Sequence, residues 1–246
     1  MLLRSLAFQA VFYVASAAAA ILYLPLLVLP RRFVVAGGRA WCRASLWLLR
    51  RIVGLDHVVL GAANLRPGPV IYAFKHQSAW DTLFVCTLIH DPAIVLKREL
   101  LWIPLFGQYL AHHGMIPVNR GAGAAALRRM VAAARRAAAA ERPIVVFPEG
   151  TRRPVGAPPA YQPGVAALYA ALQLPVVPVA LDSGLFWPRR TFAKKPGRIT
   201  VSILPAIAPG LDRRTFLSRL EEAIESESAR LAAAAGRTET EREQTD

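Results

Sequence analysis

The sequence predicts an α/β domain, a mixed central sheet flanked by helices, preceded by a hydrophobic helical segment that anchors it to a membrane. Three observations carry this. Past Gly54, short runs rich in β-branched and aromatic residues alternate with longer helical stretches, the texture of a sheet covered by helices. Before Gly54, residues 5–30 contain no charged side chain. The length of 246 residues suits one ordinary α/β core with an attachment rather than two large cores. The chain therefore divides into a membrane-anchoring segment 1–53, a main domain 54–235 and a tail 236–246. The tail is polar and charged without apolar anchors, so disorder is expected there.

Taken in order, the uncharged run comes first. Its residues, at ~1.5 Å each in a helix, are enough to cross a hydrocarbon core of ~30 Å at a tilt. Arg4 precedes it, and Arg31, Arg32, Arg39, Arg43, Arg50 and Arg51 follow it; this excess after the run places the following domain in the cytoplasm. Ala17 to Ala20 resemble the end of a cleaved signal peptide, but the apolar run continues beyond them, which disfavours cleavage. Two helices dipping into one leaflet, with Trp41, Trp47, Leu48 and Leu49 on an apolar face, satisfy the sequence as well as a span does.

In the main domain the strand candidates are residues 58–60, 70–74, 93–96, 115–118, 144–147, 176–181 and 199–204. Helix candidates are residues 79–90, 100–111, 122–140 and 165–172, with one more running from Asp212 to about Ala235. Pro178 assigns its strand to an edge or a bulge. Arg128, Arg129, Arg135 and Arg136 share a face of the helix at 122–140. That face is either simply solvated or set against an anionic membrane.

Composition narrows the partners. Hydrophobic residues make up 54% of the chain, and mean hydropathy is +0.34. Lys and Arg number 30 against 16 Asp and Glu, a net charge of +14. Anionic partners follow: lipid headgroups, nucleic acid or a phosphorylated substrate. Neither paired zinc spacings nor an aromatic RNA-binding signature is present, which disfavours nucleic acid. Cys42 and Cys86, each in apolar surroundings, fit free thiols in a reducing compartment, and neither is assigned a catalytic role.

The chemistry concentrates in Lys75-His76-Gln77-Ser78-Ala79-Trp80-Asp81, where a strand hands over to a helix. His76 and Asp81 are five positions apart, a separation that diverges by ~140° on a continuous helix. They meet only if His76 precedes the helix. Ser78 is a favoured N-cap that would start it at Ala79. Ser78 and Asp81 also match a capping box, so Asp81 either only closes the helix start or also fixes the tautomer of His76, whose other nitrogen then takes a proton from a hydroxyl. Ser78 lacks the flanking glycines of a nucleophile elbow, which favours direct attack by a substrate hydroxyl.

A second cluster, Phe147-Pro148-Glu149-Gly150-Thr151-Arg152-Arg153, again follows an apolar strand. Pro148 and Gly150 enforce a turn, Glu149 can bond a hydroxyl or orient an arginine, and the arginines suit phosphate. A plain turn with solvated charges is the alternative. Residues 114–120 end a further strand at Arg120. His112 and His113 have no carboxylate or Cys at ligand spacing, so no metal site is expected.

Together these blocks resemble the glycerolipid acyltransferase family, in particular bacterial 1-acylglycerol-3-phosphate acyltransferases. His76-Gln77-Ser78 with Asp81 resembles the family's first block, residues 114–120 its second, residues 147–152 its third and residues 177–181 its fourth; Lys97-Arg98-Glu99-Leu100 with Pro104 and Gly107 is similar to the stretch between the first two. The resemblance implies that His76 is the general base and Asp81 orients it. It implies that Arg120, Glu149, Gly150, Thr151 and Arg152 hold the acceptor, and that acyl-CoA or acyl-carrier protein is the donor, with no cofactor or metal. The product would be phosphatidic acid, made at the cytoplasmic face of the inner membrane. Two positions depart from the family pattern. Lys75 stands where Asn is frequent, and Gln162 stands where a lysine is usual in Tyr161-Gln162-Pro163-Gly164. The second departure leaves other acceptors open, such as a lyso-ornithine lipid or lysophosphatidylglycerol. Thioester hydrolysis and a non-catalytic protein binding anionic membranes are the remaining alternatives.

Overall fold

The computed structural model describes residues 1–119, 121 and 123–243. Helix α1 (Leu2–Leu22) is the one helix among the described residues that is long and apolar enough to cross a membrane. It ends before Pro25, passes through a 3₁₀ turn (Leu24–Val28), and returns as α2 (Arg31–Val53). Gly54, at φ 80°, closes α2 by donating its N–H to the Arg50 carbonyl, a left-handed C-cap that glycine adopts without steric cost.

This hairpin is fastened to the domain along its length. Phe8, Cys42, Leu46, Leu49 and Val53 belong to the same buried cluster as strand residues Tyr72 and Phe74. Ser5 Oγ accepts the Lys194 N–H at 2.9 Å. Lys194 Nζ donates to Gln9 Oε1 at 2.8 Å and lies over the rings of Phe8, Trp187 and Phe192. At the other end Arg31 forks onto the Asp91 carboxylate, and Tyr109 Oη donates to the Ala20 carbonyl at 2.6 Å. The segment 1–53 thus shares a core with the sheet.

The strands are β1 (Leu55–Leu60), β2 (Ile71–Phe74), β3 (Ala93–Lys97), β4 (Ile116–Val118), β5 (Ile144–Val146), β6 (Val176–Leu181) and β7 (Gly197–Ile203). They form one sheet in the order β1-β7-β6-β2-β5-β3-β4, parallel at every pairing except the antiparallel β6–β7. Strand alternation sorts its side chains onto two faces. Tyr72, Phe74, Val145, Val177 and Val179 point to one, packed by α2 and by α3 (Trp80–Leu88); Ile71, Ala73, Ile144, Val146 and Val176 point to the other. That second face is covered by α5 (Gly123–Ala139), α6 (Pro163–Leu172) and α8 (Arg213–Glu243). Between them stand the short α4 (Phe106–His113) and α7 (Ser183–Phe186).

Three expectations are revised. The helix predicted over residues 100–111 is broken into a 3₁₀ turn (Arg98–Trp102) and α4, because Pro104 removes an N–H and disfavours helix in the residue before it. Leu105 takes φ 61° at the break, and the chain folds back so tightly that a Cβ on Gly107 would lie 2.0 Å from the Leu101 carbonyl oxygen. Strand β6 is interior rather than an edge. Pro178 is accommodated by the other device foreseen, a bulge: between Val179↔Ile203 and Val176↔Ile207, three steps on β6 face four on its partner. Finally, α8 runs past Ala235 to Glu243; Gly236 alone does not stop it, since the Arg and Glu that follow are good helix formers.

Candidate active site

The strand alternation of β2 continues beyond its end. His76 therefore falls on the face of Tyr72 and Phe74, while Lys75 falls on the opposite face, toward α8. His76 stacks on Phe147, which extends β5, with ring centroids 4.0 Å apart. Its Nδ1 lies 2.8 Å from Asp81 Oδ2. Asp81 is fully buried in the first turn of α3.

The carboxylate of Asp81 is surrounded by donors. Oδ2 also accepts the N–H groups of Gln77 (2.8 Å) and Ser78 (2.9 Å), and Oδ1 accepts Ser183 Oγ at 2.6 Å. An acceptor so placed requires Nδ1 of His76 to carry the proton, which leaves Nε2 with a lone pair. Both roles weighed for Asp81 coexist: it caps the turn before α3 and holds the imidazole. Ser78 is fully buried and its Oγ accepts the Trp80 N–H at 3.2 Å, so it acts as a cap, with the helix starting one residue later than expected.

His76 lines a cavity of about 1340 Å³, mostly apolar, whose walls include Phe12 and Tyr13 of α1, Val34 and Trp41 of α2, and Leu100. That exceeds the ~300–1,000 Å³ of ordinary small-molecule pockets. Gly150, Thr151 and Arg152 reach the same cavity, as does Gln162. Gly150, at φ 65°, makes the sharp turn after β5. The N–H of Arg153 donates to the His76 carbonyl at 2.8 Å, so this loop is registered directly on the histidine.

Glu149 is placed elsewhere. Its side chain is 1% exposed, does not line the cavity, and lies 3.2 Å from Lys75 Nζ and 3.9 Å from Arg153 Nε. Lys75, 3% exposed, also reaches both carboxylate oxygens of Glu225 on α8, at 2.8 and 2.7 Å, and Glu225 accepts Tyr161 Oη. Burial pushes the Glu149 carboxyl above its usual range, with Lys75 pulling it back. The lysine that departs from the family pattern is therefore a buried counter-ion behind the histidine. Arg120 lies outside the described residues.

Sequence reasoning passed over Ser183 and Glu225 and gave Gln77, although it stands in the first block, no role of its own. Ser183 bonds Asp81, and Gly184 N–H donates to Gln77 Oε1 at 3.0 Å, so α7 clamps the turn that carries His76 and Asp81. Asp182 beside them is buried, accepts the Thr200 N–H, and has its carboxyl pushed up to about 6 by burial. The one signal for this clamp was its place directly after the fourth block.

A histidine whose Nδ1 is held by a buried carboxylate, on the wall of a large apolar cavity with an arginine loop beside it, has the geometry of a general base next to an apolar ligand. Comparison gives the family. The acyltransferase family profile matches residues 57–182, and the chain belongs to that family of enzymes. A 1-acyl-sn-glycerol-3-phosphate acyltransferase of Pseudomonas aeruginosa is 38% identical over 176 residues, 72% of this chain and 67% of that one. Proteins of the same name from Limnanthes douglasii (38%, 63% of this chain) and, as the alpha form, Mus musculus (27%, 64%) match over 56% of their own lengths. The crystal structure of the 1-acyl-sn-glycerophosphate acyltransferase from Thermotoga maritima superposes with a TM-score of 0.78 over 95% of this chain and 98% of that one, at 21% identity. It shares the fold.

Proposed function

We propose that this enzyme transfers a fatty acyl group from a thioester, acyl-CoA or acyl-carrier protein, to the free hydroxyl of 1-acylglycerol-3-phosphate, giving phosphatidic acid. The observation that carries the reading is the 2.8 Å contact of His76 Nδ1 with a fully bonded Asp81, on the wall of the apolar cavity. Nε2 takes the hydroxyl proton as the oxygen attacks the thioester carbonyl. When the tetrahedral intermediate collapses, the C–S bond breaks and the imidazolium returns the proton to the leaving thiolate. The acyl tail fits the apolar cavity. Thr151 and Arg152 face the acceptor, and the names of the relatives favour a phosphate acceptor. No step calls for a metal or cofactor. Glu149 acts by holding the loop through Lys75 and Arg153 rather than by touching substrate.

The exposed apolar side chains of α1, together with Val28, Trp102 and Ile103, seat the enzyme in one leaflet. The exposed arginines Arg32, Arg43 and Arg51 meet anionic headgroups, each contributing about 1 kcal/mol. The proposed location is the cytoplasmic face of the inner membrane.

The test is a panel of lysolipid acceptors with labelled acyl-CoA and purified protein in vesicles, with products identified by mass. Phosphatidic acid should dominate. Loss of the general base costs about 10²–10⁴-fold, so His76→Ala should abolish measurable transfer while vesicle binding persists. Wild-type turnover in that variant would refute the mechanism, and a different preferred lysolipid would refute the acceptor.

A further inference from the structure

Gln162 is neutral, and its Nε2 donates to the Ala160 carbonyl at 3.2 Å. Gln162 therefore gives a phosphate acceptor no charge, and Arg152 would gain from a second cation beside it. The loop after α7 supplies one. Arg189 Nη1 donates to the backbone carbonyl of Arg152 at 3.0 Å, which places its guanidinium against the loop that lines the cavity beside His76.

Both arginines are half-buried. Among the described residues no carboxylate pairs with either, whereas Arg31, Arg50, Arg142, Arg153 and Arg230 each face one. Neither guanidinium has a carboxylate to neutralise it, so a phosphate dianion bound within reach of both would take charge-assisted hydrogen bonds from each. One bond to Arg152 leaves Arg189 four of its five N–H donors for a planar fork onto phosphate oxygens. Its position is also tied to the chemistry. The chain leading to it is α7, bonded to Asp81 through Ser183 and to Gln77 through Gly184.

We infer that Arg189 is an acceptor-specificity residue, which with Arg152 grips the phosphate monoester of the lysolipid and stands in for the missing lysine. This rests on the phosphate-acceptor reading above. It selects dianionic acceptors over neutral or zwitterionic ones, while the donor binds independently of it.

The experiment measures kcat and KM of wild type, Arg189→Gln and Arg189→Lys with lysophosphatidic acid and with monoacylglycerol, varying acyl-CoA separately. A charge-assisted contact of this kind is worth about 10- to 100-fold. Arg189→Gln should raise the KM for lysophosphatidic acid by that factor, with kcat, the acyl-CoA KM and the monoacylglycerol reaction near wild type. Arg189→Lys should fall between, and it carries the test if the glutamine variant loses the monoacylglycerol reaction through misfolding. An unchanged lysophosphatidic acid KM, or a rise confined to the acyl-CoA KM, overturns the inference while leaving the function intact. A wild-type enzyme that prefers monoacylglycerol overturns both.

Discussion

Replacing Lys75 by Met asks what Glu149 is for. Lys75 is 3% exposed, with Nζ 2.7 Å from Glu225 and 3.2 Å from Glu149. The substitution keeps the chain length and apolar stem but leaves two carboxylates without their nearest cation. Removing one partner of a buried ion pair costs about 3–5 kcal/mol. At ~2–4 °C per kcal/mol for a chain of this size, Tm should fall by about 6–20 °C. The sign with pH follows from Glu149, whose carboxyl burial already pushes up while Lys75 pulls down. Without Lys75 it rises further above its unfolded value of about 4.3. The penalty is then absent below that value and grows as pH rises through the folded one. Thermal unfolding in detergent should show a larger loss at pH 8 than at pH 5, and Glu149→Gln added to Lys75→Met should recover most of it, read as a double-mutant cycle. A Tm within 1 °C of wild type, or a loss independent of pH and of residue 149, refutes the reasoning. So does a Glu149→Gln single variant with normal Tm and a tenfold higher acceptor KM, which would return Glu149 to the acceptor site.

Two further predictions concern the turn after β6. Ser183→Ala removes one bond to the Asp81 carboxylate, worth about 1.5–3 kcal/mol to a charged group; kcat should fall at least tenfold with KM unchanged, and Ser183→Thr should restore it. Asp182 is a raised carboxyl, at about 6 against an unfolded value of about 3.9, so its favourable contribution is present below pH 4 and lost as pH rises through 6. Asp182→Asn keeps the acceptor for Thr200 and should stabilise the fold by up to ~3 kcal/mol at pH 7.5 and by nothing at pH 4, measured by unfolding at both.

The regular elements were readable because their signals are local. The run at 71–74 and the helix at 80–88 announce themselves by composition, and the spacing of His76 and Asp81 let them meet ahead of the helix while leaving open whether Asp81 only caps it. The pairing across the sheet was not readable. Pro178 announced an edge or a bulge, but nothing near it in the sequence shows that β6 lies inside the sheet or that the extra residue sits on the strand opposite. Nothing near Glu225, 150 positions from Lys75, marks it as that lysine's partner. Lys75 looked like a departure at the site, yet strand alternation turns it to the far face. Glu149 was assigned to substrate because it stands in the block that the family resemblance gives to the acceptor; Gly150 to Arg152 of that block face the cavity, and the turn at Gly150 separates Glu149 from them.

The cavity wall contributed by α1 and α2 bears on the cost of delivering substrate. Taking a lipid tail from a bilayer into water costs about 0.8 kcal/mol per methylene, so desorbing a tail of ~14 methylenes would add about 11 kcal/mol before any chemistry began. Here α1, which contributes to the cavity wall, is also the helix proposed to lie in the leaflet. A tail can then pass from one hydrocarbon surrounding to another, and only the headgroup and the reacting hydroxyl need to leave their hydration behind.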